Sequence, residues 1–306
     1  MIDIKLLEQL CLCNGISGDE GNVRNLIINE IKDCADDIKT DNLGNLIVFK
    51  KGKKSAKSKL MVSAHMDEVG LMVTDITSDG YLKFDEVGGI DRRVLPGKRV
   101  CVGRNGLNGV IGVKPIHLTN GDEKTAVPKM NDMYIDIGAE SREDALKYVN
   151  YGDGINFEGD FKINGKTVVT KALDDRFGCY VLINLIKSEP EYDMYFTFVV
   201  QEEVGLRGAR SAAFTVNPDF ALVIESTTAA DVAEVDVSHQ VCNLSKGATV
   251  TVMDRATVYD KEMISAAFEL AEKNNIAVQY KRAVAGGNDS GAIHQSRGGV
   301  RTLAVS

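Results

Sequence analysis

Tyr195-Phe196-Thr197-Phe198-Val199-Val200 runs without interruption into Gln201-Glu202-Glu203-Val204-Gly205. Six uncharged residues rich in aromatic and β-branched side chains read as a central strand buried on both faces. That strand delivers two carboxylates to its carboxyl end. Like charges crowded there are costly unless a cation or a proton compensates them. The plain alternative turns both side chains to water at the start of the next helix. Side by side, the pair also offers a ligand and a base.

The same arrangement recurs on either side of this stretch. Ala221-Leu222-Val223-Ile224 ends in Glu225, and an apolar strand over 60–64 is followed by His65-Met66-Asp67-Glu68. Ala172-Leu173-Asp174-Asp175-Arg176 lies between a strand-like run and a helix, where carboxylates can face a crevice at the strand's carboxyl end. One N-cap acid needs no function, but two adjacent acids exceed what a cap requires.

Periodicity predicts helices over 175–186, 206–213 and 261–273, and strands over 194–200, 220–224, 248–253, 277–281 and 302–305. Strands alternating with helices predict an α/β fold, a sheet covered by helices on both faces. Upstream, Ile4, Leu6, Leu7 and Leu10 mark one helix, and Val23, Leu26, Ile27 and Ile31 another, separated by Gly15-Ile16-Ser17-Gly18. Strands follow over 43–49 and 69–74, and the basic stretch Lys50 to Lys59 reads as a solvated loop. From 76 to 165 the texture changes to short β-type runs punctuated by glycine, at 98–102, 109–113 and 133–137, which suggests a small barrel or sandwich. The expected division is a catalytic α/β domain in two parts, 1–75 and 166–306, interrupted by a β domain over 76–165.

With 306 residues, of which 44% are hydrophobic and 26% charged, the chain can bury a large core. Its 36 Lys and Arg against 44 Asp and Glu leave a net charge of -8, which repels a phosphate backbone and argues against nucleic acid as a partner. No run approaches the roughly 18 apolar residues of a membrane span. The cysteines, Cys11, Cys13, Cys34, Cys101, Cys179 and Cys242, fall at neither metal-site nor disulfide-framework spacings, so free thiols in a reducing cytoplasm are expected.

Three acidic strand ends and one histidine combine into a constellation. Hard oxygen donors and an imidazole suit Zn²⁺, Co²⁺ or Mn²⁺. His65, Asp174, Glu203 and Glu225 are the candidate ligands, Glu202 is the acid left for proton transfer, and Asp67 is placed to orient a metal-bound imidazole. His117 and His239 read as surface or packing residues, and Cys179 as core. His294 closes Gly286-Gly287-Asn288-Asp289-Ser290-Gly291-Ala292-Ile293-His294, which is either structural or one wall of the active site.

The constellation resembles the M42 family of metallo-aminopeptidases, which includes tetrahedral dodecameric enzymes. The matching pieces are AHMDEVG at Ala64 to Gly70, ALDDR at Ala172 to Arg176, QEEVGLRGA at Gln201 to Ala209, Glu225, and GGNDSGAIH at Gly286 to His294. The resemblance implies a phosphorylase/hydrolase-like catalytic domain with an inserted β-barrel domain. It further implies two divalent ions, zinc or cobalt, with His65, Asp174, Glu203 and Glu225 as ligands, Asp174 bridging. Glu202 would be the catalytic base and Asp67 the acid that orients His65. The implied activity is hydrolysis of N-terminal residues from short peptides with a free amino end, in a homo-oligomer between a dimer and a dodecamer.

Two departures carry expectations. The family continues beyond the strand matching Val300 to Ser306 into a Tyr-Ile-His-Ser type segment that supplies another metal-binding histidine, whereas this sequence ends at Ser306: either that histidine lies beyond Ser306 or the ligand is lost, and weakened binding at one metal position is the expectation for these residues. Asn288 stands where many relatives have threonine, a milder change that preserves a polar side chain. The rival functional readings are a metal-impaired peptide-binding or scaffold relative of the same fold, and a carboxypeptidase or small amide hydrolase. Cellulase-type activity fits poorly, because histidine plus acids at several strand ends suits a metal peptidase better than a two-carboxylate glycosidase. Arg92, Arg255 and Arg297 are the basic residues that an acidic side-chain preference would call on.

Overall fold

The computed structural model describes residues 3–121, 126–284 and 286–306. They form two compact units, one from residues up to 13, 20–67 and 172–306, the other from 14–19 and 68–171. The first is a mixed eight-stranded sheet with flanking helices, the second a closed six-stranded barrel.

In the sheet the strands run Asp37–Thr40, Leu46–Lys50, Met194–Val199, Leu60–His65, Phe220–Ile224, Arg301–Val305, Ala248–Val250 and Val278–Tyr280. The four central strands, Met194–Val199 to Arg301–Val305, are mutually parallel. Their near-continuous apolar sequences fit burial on both faces: Met61, Val62, Phe196, Phe198, Ala221 and Val223 are all buried. Chain order and sheet order differ, because Leu60–His65 lies between two strands that follow it by more than 120 residues. Such a reversal opens a crevice at the strands' carboxyl ends, and His65, Glu202, Glu203 and Glu225 stand there.

Helices cover the sheet through their apolar stripes. Helix Leu173–Lys187 buries Cys179, Leu182, Ile183 and Ile186, at the spacing of one helical face. Helix Arg207–Val216 packs through small residues, Gly208, Ala209, Ala212 and Ala213. A Cβ at Gly208 would lie 2.3 Å from both the Asn45 Oδ1 and the Val200 carbonyl oxygen, so only glycine lets this helix approach the strand end.

The barrel closes in the order Gly70–Ile76, Leu82–Val87, Met133–Asp136, Leu107–Val113, Arg99–Val102, Gly154–Phe157, around a core that includes Leu71, Phe84, Val100, Ile111, Met133 and Ile155. Of the two β architectures left open by the sequence, the barrel forms. Gly70–Ile76 is a barrel strand although its apolar texture reads like that of the sheet strands before it. The ribbon Lys162–Asn164 with Thr167–Val169 crosses residue 165. Asp37–Thr40 has no apolar signal because it is an exposed edge strand paired only with Leu46–Lys50. The strand expected over 248–253 stops at Val250, since Asp254 Oδ1 accepts from the amides of Ala256 and Thr257 and turns the chain.

Candidate metal centre

His65 ends its strand, and its ring is almost wholly buried. Nδ1 lies 3.1 Å from the Asp67 carbonyl oxygen and 3.4 Å from Asp67 Oδ1. Donation from Nδ1–H to that carbonyl leaves Nε2 facing two carboxylates, Asp174 Oδ1 at 3.1 Å and Glu225 Oε1 at 3.4 Å. His65, Asp174 and Glu225 form one group able to hold a cation, and His65, Glu202 and Glu203 form a second. The four acids Asp174, Glu202, Glu203 and Glu225 are thus brought together around one imidazole.

Asp67 does more than its spacing from His65 suggests. Its Oδ1 accepts from the Glu202 amide at 3.0 Å and its Oδ2 from the Glu203 amide at 3.1 Å. Asn45 Oδ1 accepts from the Val200 amide at 2.9 Å, and Glu20 Oε1 from the Gln201 amide at 3.1 Å. These contacts hold a turn in which Gln201 and Leu206 both have left-handed backbone, with φ of 57°. For a residue with a Cβ that conformation costs about 1–2 kcal/mol, and it persists where surrounding contacts over-determine it. The result is a rigid presentation of Glu202 and Glu203.

The adjacent acids of the Ala172 segment divide their work. Asp174 is 57% exposed and faces the His65 imidazole. Asp175 is fully buried, accepting from the His65 amide at 3.3 Å and from the Gly178 amide at 3.0 Å, and so fixes the start of the helix against the strand. The bond between them is cis. Cys179 donates its thiol to the His65 carbonyl at 3.1 Å, and burial pushes its pKa upward, which suits packing rather than nucleophilic attack.

The His65 imidazole is the one basic group paired with these acids among the described residues. Among the described residues no lysine or arginine forms an ion pair with Asp174, Glu202, Glu203 or Glu225, and Glu225 Oε2 is buried without a hydrogen-bond partner. Burial, followed by the neighbouring carboxylates, pushes Glu202 up to about 9, and burial likewise takes Glu203 and Glu225 up to about 7. Burial by itself would lower His65, but Glu225, Asp174 and Asp67 outweigh it and hold the imidazole well above its usual value. One nitrogen and four carboxylates that all need positive charge fit divalent cations of the borderline-to-hard class.

These groups open into a cavity of about 230 Å³ whose lining includes Ser226, Val241, Lys281, Gly287 and Asn288. Gly286, Gly287 and Asn288, the start of the Gly286 to His294 segment, therefore form one wall. Asp289, next to Asn288, is buried with both carboxylate oxygens lacking a hydrogen-bond partner among the described residues. His294 bonds its own helix through Nδ1 to the Ser290 carbonyl, and neither it nor His117 nor His239 enters a metal-binding group among the described residues. Arg92 pairs with Glu86 within the barrel unit, Arg297 stacks over Phe214, and Arg255 does not line the cavity. Lys281, which carried no sequence signal beyond the end of a predicted strand, does line it.

Residues 44–306 match the family model for M42 glutamyl aminopeptidase. This chain belongs to the M42 peptidase family. A relative from Acetivibrio thermocellus is 44% identical over 303 residues, covering 98% of this chain and 88% of its own. The TET aminopeptidase from the archaeon Thaumarchaeota archaeon SCGC AB-539-E09 superposes with a TM-score of 0.94 at 33% identity, covering 99% of this chain and 87% of that one. The TET1 peptidase of Pyrococcus horikoshii, described as assembling into a tetrahedron or a large octahedral shell, gives 0.86 at 40% identity, covering 99% and 90%. Family membership and the two His65-centred acidic groups make this M42 protein a metallopeptidase, with the active site of a metal-dependent aminopeptidase acting on peptides.

Proposed function

We propose that the protein removes single residues from the free amino end of short peptides, with two divalent ions, zinc or cobalt, held by His65, Asp174, Glu203 and Glu225. The observation that carries this reading is the pair of carboxylate groups sharing His65, with no lysine or arginine paired to any of their acids among the described residues. Metal ions bound there would polarise the scissile carbonyl and lower the pKa of an attacking water.

The chain's own residues supply the rest. The Asp67 carbonyl accepts from His65 Nδ1–H, which keeps Nε2 as the ligand nitrogen. Asp174 faces both His65 and the cavity, which suits a bridging carboxylate. Glu202, fixed by its amide on Asp67, is the general base: it takes a proton from the attacking water and passes it to the leaving amine.

Six cysteines outside any disulfide support a cytoplasmic location, and among the described residues no helix is long and apolar enough to cross a membrane. The assembly described for the P. horikoshii relative supports a homo-oligomer here, between a dimer and a dodecamer. The test is metal content per chain, with added Zn²⁺ or Co²⁺, beside hydrolysis of free and N-blocked amino-acyl amides. Bound metal with cleavage restricted to free amines is expected; equal cleavage of N-blocked substrates would sink the assignment.

A further inference from the structure

A second cavity, of about 340 Å³, opens between helix Arg207–Val216 and the turn after the short helix Ser290–Ile293, and it shares no lining residue with the metal-site cavity. Its lining holds two arginines, Arg210 and Arg297, and no acid. In a chain with 44 Asp and Glu against 36 Lys and Arg, an arginine pair left without an acid is unusual. Among the described residues neither guanidinium lies within 4.0 Å of a carboxylate.

The Arg297 guanidinium is fixed in orientation without being used up. Its Nε donates to the Phe214 carbonyl at 2.7 Å, and its plane stacks over the Phe214 ring at 3.9 Å. Both terminal nitrogens are left without a protein acceptor among the described residues. Residue 297 has left-handed backbone, with φ of 50°, although Gly298 and Gly299 follow directly and glycine is the residue that adopts it freely. Arg210 precedes Phe214 by one helical turn, so the two side chains share a helix face. The Arg210 side chain makes no hydrogen bond to the protein among the described residues. Ser296, only 8% exposed, brings to the same lining a hydroxyl that is likewise unbonded among them.

Two planar forks of N–H donors with a hydroxyl beside them suit an oxyanion of double charge, because a lone carboxylate would occupy one fork and leave the other idle. Phosphate carries close to that charge and three acceptor oxygens. We propose that this cavity is a binding site for a phosphate dianion, free or carried on a small organic group, clamped between Arg210 and Arg297. The exposed Phe214 ring and Ala292 give the site an apolar side that an organic group would cover.

Calorimetric titration of the metal-loaded protein with inorganic phosphate and with glycerol phosphate tests this. Saturable binding is expected, and Arg210→Met and Arg297→Met should each weaken it about tenfold or more. Arg297→Lys keeps the charge but loses the fork and should weaken it as well, whereas Lys57→Met, the same loss of charge in the exposed 50–59 stretch, should leave it in place. Both arginines are exposed, so the variants should fold, and a cooperative melting curve checks that they do. Phosphate should also raise the melting temperature of wild type and not that of the Arg210→Met/Arg297→Met double variant. Tighter glycerol phosphate would make the occupant an ester and tighter inorganic phosphate the free ion, and either order supports the site. Because phosphate can coordinate metal ions, each titration is repeated after chelation. Binding that disappears with the metal and is unchanged in the double variant belongs to the metal centre and would overturn the proposal. No saturable binding at millimolar concentration, or equal affinity in wild type and the double variant, would overturn it too.

Discussion

The two units treat a buried carboxylate in opposite ways. In the barrel unit Glu68 is buried, and both its oxygens accept from Lys171 Nζ, at 2.8 and 2.9 Å, while Oε1 also accepts from the Gly15 amide. In the sheet unit Glu225 is equally buried, yet it meets only His65, the Ser226 amide and other acids. A buried charge with its own cation is part of the architecture, whereas a cluster of buried acids without one is a place for a cation to arrive. Removing one group should therefore change the two regions with opposite sign.

The largest expected effect is on turnover. Glu202→Gln should lower kcat by about 10²- to 10⁴-fold while bound metal, measured by elemental analysis, stays near wild type. Lost metal would show that Glu202 is a ligand rather than the base. Next, Lys171→Met strands Glu68 without its cation and should cost about 3 kcal/mol of stability in a urea titration. At the other acid the sign reverses: in chelated protein above pH 7, Glu225→Gln should raise the melting temperature, because a buried charge crowded by other acids, with only the His65 imidazole to offset it, is removed. A fall in both variants would erase the distinction between the regions.

pH sharpens the same contrast. Glu202, Glu203 and Glu225 have folded pKa values raised above 4.5, so the stability they contribute is fully present below about pH 4.5 and is lost as pH rises through about 7 and about 9. His65, held well above 6.5, acts in the same direction. Chelated protein should melt at progressively lower temperature from pH 5 to pH 9, and Zn²⁺ or Co²⁺ should recover most at the alkaline end, where protons no longer compete. A flat chelated profile would mean the acids are compensated already. The smallest effect lies at the surface: Asp260 caps helix Lys261–Lys273 through the Met263 amide, and Asp260→Ala should cost about 1 kcal/mol. Its exposed pairing with Arg301 should add little, as salt titration of the variant would reveal.

Much of the site was legible because each acid sits at the end of its own apolar run. Phe220–Ile224 and Lys261–Lys273 coincide with their predicted spans, since a buried strand and a capped amphipathic helix are local signals. Asp67 was legible as a partner of His65 but not as the acceptor of the Glu202 and Glu203 amides, because that bond spans 135 residues. Lys281 was silent, since a lysine after a short strand is ordinary until the cavity behind it is known. Arg92, Arg255 and Arg297 are not among the residues lining the cavity, although the Arg255 amide donates to the carbonyl of Gly286, which is.

The sequence by itself determined the α/β alternation, the inserted β segment, and the chemistry collected at strand ends, because propensity, periodicity and residue type act within a few positions. Only the tertiary structure decided that Leu60–His65 lies between Met194–Val199 and Phe220–Ile224, so that His65 and Glu225, 160 residues apart, come within 3.4 Å. It also decided that Asp174 faces the imidazole while Asp175 binds backbone. Those outcomes depend on strand order and on competition among buried hydrogen bonds, which are properties of the assembled sheet and not of any segment within it.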